Sequence, residues 1–157
     1  MPNRGDVRRR ILVIANETAA STDVAEEVRW RARGRAADVL VVAPLTAPSP
    51  GERASASDPE ARLAETKARL DAALSALAEA GLSARGELGD ADPMRAIDQV
   101  VYRFRPDELI IATHPPERSQ WLRRNLVERA RERYQLPTTH VVADLERERW
   151  ESEGGAV

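Results

Sequence analysis

Arg10-Ile11-Leu12-Val13-Ile14-Ala15 is a short apolar, β-branched run with a polar turn, Asn16-Glu17-Thr18, directly behind it. Three further runs of the same kind follow, at Ala37 to Ala43, Leu109 to Thr113 and Thr138 to Ala143. Continuous apolar runs of this length fit strands buried on both faces, as in a parallel sheet. Segments with helical periodicity separate them. The alternation predicts an α/β domain, a doubly wound parallel sheet of five strands with helices on both faces. Such a sheet takes its ligands in the crevice beyond the carboxyl ends of its strands, where the strand order reverses.

The intervening segments carry their own stops and starts. The first helix is expected to open near Asp23, with Asp23 and Glu26 at capping-box spacing, and to stop at Gly34. Pro44 to Ser57 is rich in Pro, Ser and Ala and reads as a mobile loop. Asp58-Pro59 opens a second helix with Leu63, Leu70, Leu74 and Leu77 on one face and Gly81 at its end. A weaker third strand spans Leu82 to Leu88. Asp92-Pro93 then starts a third helix whose Met94, Ile97, Val101 and Phe104 form a core stripe. A fourth helix is expected from Ser119 to Tyr134, with Trp121, Leu122, Leu126 and Ala130 toward the core, and Pro137 precedes strand five. The division is a flexible arm over 1–9, one domain over 10–145 and a charged tail over 146–157.

Composition bounds the function. The chain has 157 residues, the size of one domain, and a formal charge of −2. That balance offers no general attraction to nucleic acid or to an acidic membrane. With no Cys, neither a disulfide framework nor a thiolate metal site can form. No stretch is long enough to cross a bilayer. The basic start, Met1 to Arg10, leads into a strand-like run and not a secretory core, so a cytoplasmic protein is expected.

Several local motifs, in this element order, resemble the universal stress protein family. Arg10 to Ala15 is similar to that family's first strand and Val39 to Pro44 to its second. Gly89-Asp90-Ala91-Asp92-Pro93 with Ile97 is similar to its turn into the third helix, and Leu109 to Val142 matches its last strand-loop-helix-strand block without a gap. The resemblance covers Arg9 to Leu145 and implies strand order 3-2-1-4-5. It also implies a homodimer. The edge strand five, with Thr138, His140 and Val142, is apolar enough to pair with its twin. The ATP-binding branch of the family carries G-x-x-G-x(9)-G-[ST] after strand four. In register those positions are Ala112, Pro115, Asn125 and Leu126 here, and none matches. Pro115 and Pro116 lack the N–H donors that such a cradle offers to phosphate. Asn16 stands where ATP-binding members tend to have Asp. ATP or AMP as ligand therefore stays open, and a standard ATP cradle is absent.

The reversal between strands one and four would gather Ala15, Asn16, Thr18, Thr113 and His114 around one crevice, with Val42 and Ala43 beside it and Arg118 and Ser119 at its far end. Arg118 offers a donor fork suited to phosphate or carboxylate, and Ser119 either touches ligand or caps the helix. Asp90 and Asp92 read as turn and cap before they read as metal ligands, and His140 as structural before catalytic. The resulting expectation is a non-catalytic, stress-associated regulatory or small-ligand-sensing protein, with a small anionic or nucleotide ligand and no assigned metal. The alternative is an enzyme acting on a nucleotide or phosphorylated metabolite with His114 as acid or base.

Overall fold

The computed structural model describes residues 8–15, 21–33, 36–45, 59–113, 121 and 125–143. The described elements are β1 (Arg9–Ile14), α1 (Thr22–Ala32), β2 (Ala37–Pro44), α2 (Pro59–Glu79), β3 (Ala84–Gly89), α3 (Pro93–Phe104), β4 (Glu108–Thr113), α4 (Leu126–Tyr134) and β5 (Thr138–Val142). The strands form one sheet in the order β3-β2-β1-β4-β5. Every neighbouring pair is parallel, as the continuous apolar runs require.

Alternation along β1 divides the core into two halves. Ile11 and Val13 point to one face, where they pack with Val24 and Val28 of α1 and Leu70, Ala73 and Leu77 of α2. Leu12 and Ile14 point to the other, against Ile97, Val100 and Phe104 of α3 and Leu126 and Val127 of α4. Successive strand side chains face opposite ways, so a strand with no polar position must be covered on both sides. β4 meets that demand along its whole length, with every residue from Glu108 to Thr113 buried.

Several local expectations are corrected. The cap of α1 is Ser21, whose side chain accepts from the Asp23 N–H at 3.0 Å, so the helix opens at Thr22 and Asp23 lies in its first turn. Leu63 is on the predicted face but 45% exposed. No residue from 59 to 65 is buried, so α2 begins beyond the covered part of the domain, and Thr66 opens the buried stripe in its place. The weaker strand three runs from Ala84, two residues later than its apolar start at Leu82, because only from Ala84 does the chain pair with Val39 of β2. α3 matches its reading, with Asp92 as N-cap, Pro93 in the first turn and the whole stripe buried. The fourth helix expected from Ser119 does not run through Asn125, whose left-handed backbone makes α4 start at Leu126; Leu126 and Ala130 are buried as expected and Trp121 packs against the same core. The proposed arm and loop are shorter than expected, because Arg9 already pairs in β1 and Pro44 still pairs in β2; Ser119, Leu122, residues 1–7 and 46–57 and the proposed tail lie outside the described residues.

Candidate functional site at the carboxyl pole

The chain winds from β1 outward to β3 and then returns across the sheet to β4, so the order reverses between β1 and β4. These two strands pair directly and in parallel, with Ile14 opposite Ile111. The segments that follow Ile14 and Thr113 therefore leave the sheet at the same pole, from adjacent strands. Ala15 continues the pattern one residue past β1, its N–H donating to the Val42 carbonyl at 3.2 Å. Ala15, Val42 and Ala43 are fully buried, Ala15 and Ala43 on the α1–α2 side of the sheet and Val42 on the α3–α4 side.

Thr113 closes β4 and is 3% exposed. Its Oγ1 lies 2.8 Å from His140 Nε2 on β5; His140 stands opposite Ile111, so the imidazole reaches diagonally, two residues along the paired strand, to Thr113. Burial lowers the His140 pKa, and the neighbouring Arg131 charge adds to that, against the opposing pull of Glu128. The imidazole is thereby kept neutral near pH 7, the form in which one ring nitrogen donates and the other accepts. This Thr–His contact is invisible in sequence because the partners are 27 residues apart and meet only through sheet register. Among the sequence-derived site residues, Ala15, Val42, Ala43 and Thr113 are thus brought to one pole. Asn16, Thr18, His114, Arg118 and Ser119 lie outside the described residues.

The third wall comes from β3 and α3. The Leu45 N–H donates to the Gly89 carbonyl at 3.0 Å, prolonging the β2–β3 pairing past its last residues. A Cβ on Gly89 would meet Val42 Cγ1 at 2.8 Å and Ala96 Cβ at 2.9 Å, so the missing side chain is what lets α3 start this close to the sheet. Asp90 Oδ1 accepts from the Asp92 N–H at 2.9 Å, and Asp92 Oδ1 from the Met94 N–H at 3.0 Å. Both carboxylates have structural duties, in agreement with their reading as turn and cap.

α4 opens at Asn125, whose φ of 56° and ψ of 39° are left-handed. This is the position at which the ATP-binding motif would place a glycine. The backbone keeps the conformation that glycine adopts freely, on one of the few other residue types that tolerates it. The next position, where the motif has a hydroxyl, is Leu126, 1% exposed in the core. α4 is tied to α3 through Asp98, which accepts from Arg133 Nε at 2.8 Å and Nη2 at 3.1 Å, and from the Tyr134 hydroxyl. Burial alone would raise the Asp98 pKa, but these bonds outweigh it and hold the carboxyl below its ordinary range. Burial and the same carboxylate push the Tyr134 phenol up.

No protein-family model matches the sequence, and no curated protein matches it either. Solved structures do. A universal stress protein from Archaeoglobus fulgidus superposes with a TM-score of 0.59 at 18% identity, over 88% of this chain and 96% of that one. The fold is that of the universal stress proteins. A universal stress protein family member from Arabidopsis thaliana with AMP bound gives a TM-score of 0.59 at 14% identity, over 88% of this chain and 94% of its own. A universal stress protein in complex with cAMP gives 0.54 at 13% identity, over 87% and 98%. The universal stress protein fold here is complete in its five-stranded order. No helix among the described residues is long and apolar enough to cross a membrane.

Proposed function

We propose that this chain is a regulatory or small-ligand-sensing protein of universal stress protein type, non-catalytic, that holds a small nucleotide or related anion in the carboxyl-pole crevice. The observation that carries this reading is the reversal between β1 and β4, which sends two strand ends out side by side at the carboxyl pole. Structures of the same fold with AMP and with cAMP support it. In this reading the ligand sits at the strand ends that carry Ala15, Val42 and Ala43. Asn16 and Thr18 contribute polar contacts from one side, and Thr113, His114, Arg118 and Ser119 from the other. Pro115 and Pro116 supply no N–H, and buried Leu126 supplies no hydroxyl, so a monophosphate suits the site better than ATP.

Ligand entry would bias the loops around the crevice and so change partner contacts. The copies would pair through β5, where Val142 is 43% exposed on the edge strand, and a cytoplasmic setting completes the proposal. Calorimetry with AMP, cAMP and ATP tests the ligand reading. The expected result is binding of AMP or cAMP that Arg118→Gln weakens, with ATP no tighter. Flat titrations with all three at millimolar concentration overturn it. Light scattering at micromolar concentration reads a dimer if the β5 pairing is right and a monomer if it is not.

A further inference from the structure

The opposite pole of the sheet carries a second constellation that the crevice does not use. An open pocket of about 490 Å³ is lined there by Arg9, Arg31, Ala32, Arg33 and Glu108. Glu108 opens β4, and its side chain is 6% exposed. Its Oε2 accepts from Arg9 Nε at 3.1 Å and its Oε1 from Arg31 Nη1 at 3.4 Å. Glu27, one helical turn back, takes Arg31 Nε at 2.9 Å. The next acid along, Asp107, is engaged by the Arg10 N–H at 2.9 Å.

Arg33 stands apart from this network. Its guanidinium carbon lies 4.0 Å from the centroid of the Trp30 ring, and Trp30 is 55% exposed. No carboxylate pairs with Arg33 among the described residues, and neither Nη of Arg9 is bonded among them. Three guanidinium groups therefore border the pocket against one carboxylate. The dipole at the carboxyl end of α1 favours cations and accounts for Arg29 and Arg31 in its last turn. It does not account for a buried carboxylate brought from β4 to align two arginines from different elements around an open volume.

We propose that this amino-pole pocket binds a small, multiply charged oxyanion of the phosphate type. Glu108 is a positioning residue. It fixes Arg9 through Nε and Arg31 through Nη1 and leaves terminal N–H groups to the pocket. Arg33, placed over the Trp30 ring, adds a third guanidinium fork to the pocket. The site is independent of the carboxyl-pole crevice and stands or falls without it.

The test is a titration with inorganic pyrophosphate at low ionic strength. It is followed by the Trp30 indole N–H resonance, assigned with Trp30→Phe, and by the backbone resonances of Ala15 and Thr113 at the other pole. The expected result is a saturable shift at Trp30 with Ala15 and Thr113 unmoved. Arg33→Gln should weaken the affinity about ten-fold or more, the loss of one charge-assisted contact. Glu108→Gln should weaken it too, because Gln keeps one acceptor oxygen of the two and so releases one of the two arginines that Glu108 holds in place. Arg33 is a surface residue, so its variant remains informative if Glu108→Gln folds poorly. The proposal is overturned if Trp30 shows no saturable shift, if Arg33→Gln binds as tightly as the parent, or if the shifts concentrate at the crevice.

Discussion

Gly89→Ala probes the seam on which the carboxyl pole depends. The added Cβ would sit 2.8 Å from Val42 Cγ1 and 2.9 Å from Ala96 Cβ. Carbon atoms in ordinary contact keep about 3.5–4.0 Å, so both neighbours must retreat by roughly 0.7–1 Å. Neither is the loose end of a flexible side chain. Val42 is 0% exposed in the middle of the sheet, and the Ala96 methyl moves only if α3 moves. Overpacking of this kind costs about 1–3 kcal/mol, and Gly→Ala offsets about 0.4–1 kcal/mol of it by restricting the unfolded chain. The net expectation is a loss of about 1–2 kcal/mol in urea unfolding followed by circular dichroism. Gly86→Ala is the control. There the obstacle is one side chain, Leu70, with Cδ1 at 2.6 Å, Cγ at 2.9 Å and Cδ2 at 3.0 Å, and no backbone or second element must move, so the loss should be smaller. Ala96→Gly should recover much of the Gly89→Ala loss when the two are combined, a coupling that contact predicts and distance does not. A neutral Gly89→Ala, or a double variant whose losses simply add, would refute the claim that this contact sets the position of α3.

Variants at two further positions test the α3–α4 side of the site. Asp98 is depressed in the folded state, so between its folded and unfolded values the unfolded chain binds more protons. Its contribution is complete above about pH 4, the ordinary Asp range, and is lost as pH falls through the folded value. Asp98→Asn should therefore be less stable than the parent at pH 7, and the gap should close in acid, as read by thermal unfolding from pH 7 to pH 2. A constant gap would show that Arg133 and Tyr134 do not depend on the carboxylate charge. At Asn125, φ is 56°, so Asn125→Gly should be neutral or stabilising while Asn125→Val loses about 1–2 kcal/mol, again in urea. Equal stability of the two would place that backbone outside the left-handed region.

The apolar runs Ile11–Ile14, Val39–Ala43 and Leu109–Ala112 made the centre of the sheet legible because burial on both faces leaves no polar position in a strand, and that signature is local; the edge strand β5 keeps Thr138, Thr139 and His140. α3 was equally legible. Its cap, its Pro and its stripe lie within one stretch of chain, and all three occur where expected. Ser21 was missed as the cap of α1 because Asp23 and Glu26 offer a capping-box spacing of their own. The choice between them rests on where the chain leaves the sheet. Leu63 was misplaced because periodicity gives the face of a helix and says nothing about how far the neighbouring sheet extends. Within the candidate site, the strand-end residues Ala15, Val42, Ala43 and Thr113 could be named in advance, since position at a strand's carboxyl end is itself a sequence property.

What the sequence determined by itself was periodicity. It set which residues are strand or helix, which face each helix buries, and where a phosphate cradle of the ATP type lacks its glycines. What tertiary structure alone decided was adjacency. Thr113 meets His140, Gly89 admits Ala96, and Glu108 gathers Arg9 and Arg31 because strands far apart in the chain are set side by side at fixed register. Periodicity follows from backbone geometry that each segment carries with it. Adjacency follows from how the covered faces pack together, which no single segment encodes.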